Sequence, residues 1–106
     1  MTMTNQEAEP VDQVFEYWVG RTWSGRGVRP RLSDKRRRLI SKAVAEYGVD
    51  VCIAAIEGNM LSDFHQGMNG RGKKYNSIEL ILRDAEKIEG FANSVLDNPE
   101  SGFLSE

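Results

Sequence analysis

Two cationic segments hold the residue types best suited to chemistry. Residues 26–42 carry Arg26, Arg29, Arg31, Lys35, Arg36, Arg37, Arg38 and Lys42 against one acid, Asp34. Residues 67–74, GMNGRGKK, add Arg71, Lys73 and Lys74 in a glycine-rich stretch. Such density repels itself unless an anion offsets it, and the nucleic-acid backbone is the commonest polyanion that rewards a dense Lys/Arg strip. Arginine adds planar, bidentate phosphate binding and stacks on bases, as can Trp23 in the adjoining loop. The competing reading is a solvated helix face balanced by the acidic last helix.

The glycine-rich stretch nearly spells a phosphate-binding P-loop, because Gly67 and Gly72-Lys73 stand at the required spacing. Lys74 occupies the Ser/Thr position, no strand pattern precedes it and no acidic metal-binding strand follows, which argues against an ATPase. Two readings remain. In one, backbone amides and Arg71, Lys73 and Lys74 meet phosphate near the positive N-terminus of the next helix. In the other, Phe64 and Tyr75 plug the core while the lysines stay solvated. His65 is the sole histidine and Cys52 the sole cysteine. They supply no metal-ligand set and no nucleophile–base–orienter group, so no cofactor, metal, catalysis or small-molecule ligand is expected. His65 is expected to anchor the loop by a hydrogen bond, and Cys52 to be a core thiol.

These segments need elements to hold them. The spacing of Val11, Val14, Phe15 and Trp18 predicts a helix from Pro10 to Val19, ended by Gly20. A loop follows over 21–30. Ser33 caps a predicted second helix whose stripe is Leu39, Ile40, Ala43, Val44 and Tyr47, closed by a left-handed Gly48. On that helix Lys35, Arg38 and Lys42 point outward and Arg37 lies on the flank. Arg36 falls on the apolar side and requires a partner. Asp50 is placed to cap a third helix over 51–61, with Cys52, Ile53, Ile56 and Met60 inward. After a long loop at 62–76, Asn76 and Glu79 suggest a capping box for one continuous last helix. Its stripe is Ile78, Ile81, Leu82, Ala85, Ile88 and Ala92, with Glu79 and Arg83 spaced as a surface pair. The fold class is all-α: a compact bundle of about four helices with a long cationic loop before the last.

The second and third helices invite a helix-turn-helix reading, but the would-be recognition helix, VDVCIAAIEGNML, carries no base. Major-groove reading wants Arg, Lys, Asn or Gln on its exposed positions, so contact is expected to be backbone-directed. On the last helix Leu80 and Phe91 are eleven residues apart and share a face near Asp84 and Lys87. That face is a candidate partner-binding ridge, unless the first helix or the tail bearing Phe103 and Leu104 covers it.

At 106 residues, with 40% hydrophobic and 28% charged, the chain suits a single helical domain over 10–96. Residues 1–9 and the acidic tail 97–106 are expected to be loose. The net charge of −2 hides an asymmetry: residues 1–20 hold acids and no bases, 21–74 are strongly basic, and 75–106 are acidic. A lone cysteine, no apolar run near a membrane span and no signal-peptide pattern suggest a soluble, cytoplasmic protein that does not engage membranes.

The series His65-x-Gly67-x-Asn69-x-x-Gly72-Lys73-x-Tyr75, continued by Glu79 through Phe91, resembles a small domain of actinobacterial phage and prophage replication proteins. That domain is comparable to the C-terminal modules of phage replisome organisers and DnaD-type primosome proteins. The resemblance extends over about residues 13 to 92, taking in Phe15, Tyr17, Trp18, Arg36 to Arg38, Ala55, Ile56 and Phe64. It implies an accessory role in replication initiation, contacting DNA or recruiting helicase machinery, with no catalytic residue. The winged-helix domain that usually precedes the module is not in this sequence. The expected partner is therefore nucleic acid, bound weakly through its backbone, or a bacterial host replication or regulatory protein that the module binds and modulates or inhibits.

Overall fold

The computed structural model describes residues 9–97, and within them the elements run α1 (Pro10–Thr22), α2 (Asp34–Leu61), α3 (Ile78–Ile81) and α4 (Ala85–Leu96). The fold is all-α, and the described residues hold no strand beyond an isolated bridge between Gln66 and Lys74. The terminal segments expected to be loose, including Phe103 and Leu104, lie outside the described residues except for Glu9 and Asp97.

α1 outruns its predicted stop. Pro10 occupies its first turn and Val14, Phe15, Trp18 and Val19 are buried. The last turn closes through Thr22 Oγ1 to the Trp18 carbonyl at 2.7 Å and Trp23 N–H to the Val19 carbonyl at 2.8 Å. Gly20 is tolerated inside because packing of Trp18 and Val19 outweighs its propensity cost of about 1 kcal/mol.

α2 carries both middle helices. Gly48, at φ 89 and ψ 165, is its one non-helical residue and divides it into limbs 34–47 and 49–61. The limbs fold back on each other: Arg36 bonds to Glu79 while Asn59 bonds to the Tyr75 carbonyl, four residues away. A straight helix would separate positions 36 and 59 by about 35 Å, far beyond that reach. Asp50 is helical rather than a cap, because the second limb starts directly after Gly48. This limb is buried on more of its surface than a single stripe, with Cys52, Ala54, Ala55, Ile56, Gly58 and Asn59 all inside. Its small residues admit close neighbours. A Cβ on Gly58 would sit 1.8 Å from the Phe91 carbonyl oxygen, so α4 crosses backbone-to-backbone there.

The predicted continuous last helix is broken. Ser77, not Asn76, caps α3 by accepting from Leu80 N–H, while the Asn76 carbonyl accepts from Trp18 Nε1 at 2.9 Å. Asp84 is extended, at φ −156 and ψ 175, and its carboxylate accepts from Lys87 N–H at 2.9 Å, starting α4 afresh. The break re-phases the chain so that Ile78, Ile81 and Leu82 point inward together with Ile88, Phe91, Ala92 and Val95, and Ala85 is left exposed. Each fully buried isoleucine here contributes about 1.5–3 kcal/mol of transfer free energy. The core draws on all four helices.

Candidate nucleic-acid interface

The basic strip starts at the N-terminus of α2. Ser33 Oγ accepts from Arg36 N–H at 3.3 Å, fixing the helix phase and with it which cations turn in or out. Arg36 turns in, as its position predicts. Its Nε donates to Glu79 at 2.8 Å, its Nη1 donates to the Arg31 carbonyl at 3.0 Å, and its guanidinium lies 5.3 Å from the Trp18 ring centroid. Glu79 therefore serves Arg36 rather than Arg83, which pairs with Asp84 at 3.4 Å.

Lys35, Arg37, Arg38 and Lys42 are exposed, as are Arg26, Arg29 and Arg31 in the preceding loop. Among the described residues Arg29 pairs with Glu16, whereas Arg26, Arg31, Lys35, Arg37, Arg38 and Lys42 have no carboxylate within salt-bridge distance. Trp23 is half-buried, donates Nε1–H to the Arg26 carbonyl at 3.1 Å and has Arg29 6.0 Å above its ring. Its outer surface is thus already shared with a guanidinium.

The 62–77 loop is built around two asparagines. Asn69 Nδ2 donates to the carbonyls of Phe64 at 2.7 Å and Lys73 at 2.8 Å, and its Oδ1 accepts from Arg71 N–H at 2.9 Å and Lys73 N–H at 3.3 Å. Asn59, fully buried, donates to the Tyr75 carbonyl at 3.0 Å and accepts from Gln66 Nε2 at 2.9 Å. Gly67, at φ 110, and Gly72, at φ 63, take backbone conformations that the tight course of this loop requires. Arg71, Lys73 and Lys74 remain exposed. Phe64 does not plug the core: it is 54% exposed and stacks outside a half-buried Tyr75. Asn59 ties the Tyr75 backbone to the second limb, and the Phe64 ring packs on the Tyr75 ring instead of entering the core.

The segment 75–79 joins the two cationic regions. Asn59 holds it from the second limb, Trp18 from α1 and Arg36 from the first limb. The start of the strip and the exit of the cationic loop are consequently tied to one stretch of backbone.

The proposed ridge of Leu80, Asp84, Lys87 and Phe91 is not one face, because the chain breaks between Leu80 and Asp84. Leu80 is half-buried against the core, and Phe91 is buried with its ring 5.0 Å from His65 at 82°. Asp84 caps α4, and the Lys87 N–H it accepts holds its carboxyl below the usual carboxylate range. Lys87 is half-buried beside a groove of about 740 Å³ between the second limb and α4, lined also by Leu61, His65, Gly90 and Phe91.

His65 anchors the loop, with Nδ1 2.7 Å from Ser62 Oγ. Burial, and secondarily the charge of Lys87, lowers its pKa. Cys52 is buried, which pushes its thiol up to about 11. Away from the strip, Arg21 grips Glu57 through Nε at 2.5 Å and Nη2 at 3.0 Å, and Tyr17 Oη donates to the same carboxylate at 2.6 Å. The Arg21 bond holds the Glu57 carboxyl low. Gly58, Asn59, Gln66 and this Glu57 cluster escape a reading based on apolar spacing. The signal available was Gly58-Asn59 inside an apolar helical run, where both residues are poor helix formers and need a packing reason.

Among the described residues no group of three or more His, Cys, Asp or Glu is placed to hold a metal ion, and no helix is long and apolar enough to cross a membrane. No family model matches the chain, and no curated protein or solved structure is significantly similar to it.

Proposed function

We propose that this chain is a small, non-catalytic phage-type replication accessory protein that binds nucleic acid weakly, through the backbone, in the cytoplasm of a bacterial host. The observation that carries the reading is the contrast along α2. Arg36 is taken up by Glu79 and Trp18, while Lys35, Arg37, Arg38 and Lys42 project without carboxylate partners among the described residues. Free cations in a row attract a polyanion, and release of its counterions drives association. The second limb of α2, buried on most of its surface, offers no recognition helix, which favours sequence-indifferent contact.

The test is a titration of labelled single- and double-stranded oligonucleotides at low and moderate salt. Affinity falls steeply with salt, and charge reversal at Arg37 and Arg38 flattens that slope by about one unit per lost phosphate contact. Absence of binding to either strand form at low salt rejects the reading.

A second reading, a module that binds and modulates a bacterial host protein, draws on the groove beside Leu61, Lys87 and Phe91. It calls for a complex from host lysate that survives nuclease treatment and is lost on Leu61→Asp.

A further inference from the structure

The most exposed side chains of the 62–77 loop include large apolar ones. Phe64 keeps 54% of its surface in solvent and Met68 72%, in a loop where Arg71, Lys73 and Lys74 are also exposed. Phe64 is nevertheless held in place. Its carbonyl accepts from Asn69, and its ring lies nearly parallel to Tyr75, with centroids 5.8 Å apart and planes at 12°. The edge of His65 supports it at 5.3 Å, and Lys73 Nζ lies 5.6 Å from the Tyr75 centroid. Among the described residues no second ring stacks on Phe64. An aromatic face fixed in advance, open to solvent and set among cations meets the two requirements of a base-stacking site: a flat apolar surface and nearby positive charge for the flanking phosphates.

We infer that the Phe64–Tyr75 stack is a platform for an unpaired base of a single-stranded nucleic acid, with Arg71, Lys73 and Lys74 holding the adjoining phosphates. This inference rests on the nucleic-acid reading above and adds to it the form of the strand. A duplex keeps its bases stacked on each other, so an external ring gains little from it. A single strand offers every base as a π-face, whatever the sequence.

The experiment compares the full chain with Phe64→Leu and Phe64→Trp, using labelled oligo-dT and a mixed-sequence duplex of equal length. Phe64→Leu keeps apolar bulk and every charge but removes the π-face, and circular dichroism checks that each variant is folded. The wild type binds oligo-dT more tightly than duplex. Phe64→Leu weakens oligo-dT binding by roughly 5- to 100-fold while leaving duplex affinity within about twofold, and Phe64→Trp preserves oligo-dT binding. Unchanged oligo-dT binding by Phe64→Leu overturns the inference, and so does an equal loss for both ligands. A wild type that binds duplex at least as well as oligo-dT overturns it too, while leaving the proposed function standing. A wild type that binds neither overturns both.

Discussion

Residues 23–33 and 62–77 are both irregular, glycine-bearing connections that display cations, yet they are held by different forces. The first has Trp23 and Leu32 packed against the core, and its polar ties are solvent-exposed: Arg29 to Glu16, Trp23 to the Arg26 carbonyl, Arg36 to the Arg31 carbonyl. The second rests on side-chain amides, with the fully buried Asn59 beneath it and the half-buried Asn69 at its centre. Hydrogen bonds in a dry site are costly to leave unmade, whereas exposed ion pairs exchange easily with water. The molecule therefore presents one cationic segment that adapts and another that is preorganised. Preorganisation lowers the entropy cost of binding, so the loop that holds Phe64 is the better one to recognise a particular shape of ligand.

The comparison breaks most completely if the floor under the second loop is removed. Gly58→Ala sets a methyl 1.8 Å from the Phe91 carbonyl oxygen, where no side-chain rotation relieves the clash. The expected loss is about 3 kcal/mol or more, at the upper end of overpacking effects, read from the urea midpoint. A stability within about 0.5 kcal/mol of wild type means that α2 and α4 cross farther apart than described. Asn59→Ala leaves the Tyr75 carbonyl without its buried donor and takes one of two acceptors from Gln66 Nε2, which keeps the main-chain carbonyl of residue 59 at 2.7 Å, and is expected to cost about 1–3 kcal/mol. Amide protection over 62–77 falls with it, while 23–33 is unchanged. Equal loosening of both segments removes the distinction between them.

That distinction was only partly legible in the amino-acid order. The outward turn of Lys35, Arg38 and Lys42, the inward turn of Arg36 and the break at Gly48 all follow from helical period and capping, because local backbone geometry decides them. The break at Leu82–Asp84 does not, since Ile78 to Ala92 fits a single helical stripe almost as well as two. Tertiary demand chose between them: Trp18 takes the Asn76 carbonyl, and Arg36 takes Glu79. With the break, the Leu80 and Phe91 ridge is lost. Asn59 was illegible for another reason, because apolar periodicity assigns polar residues to the outside and cannot register an amide whose partners come from sixteen and seven residues away.

Acidity should separate the two connections more gently. The pKa of His65 lies below the ordinary imidazole value of about 6.5 because burial, then Lys87, disfavours the charged ring. Protonating it costs more in the folded chain than in the unfolded one. Its contribution is therefore complete above the ordinary value and is lost as pH falls through the lowered one. Below about pH 6.5, protection of the 62–77 amides is expected to decline while 23–33 holds steady, and the His65 ring signals should titrate low by NMR. A His65 midpoint at or above the ordinary value contradicts the packing described around it. Lys87→Ala should move the midpoint upward, though by less than the full shift, since burial is the larger cause.

The smallest effect is expected where the first connection meets α1. Glu16 and Arg29 are both substantially exposed, with side-chain accessibilities of 60% and 44%, so the pair gains little beyond what water already supplies. Glu16→Ala should cost at most about 0.5 kcal/mol in the folded chain. It also releases Arg29, which then stands beside Arg26 and Arg31, neither of which pairs with a carboxylate among the described residues. If the segment acts by adapting to a polyanion, oligonucleotide affinity at low salt should rise slightly, and the gain should vanish at moderate salt because an exposed charge is screened. A drop in affinity instead means that the Glu16 bond holds Arg29 and Trp23 in their working positions. The first connection would then be as preorganised as the second, with a surface ion pair doing the task that Asn59 performs from the core.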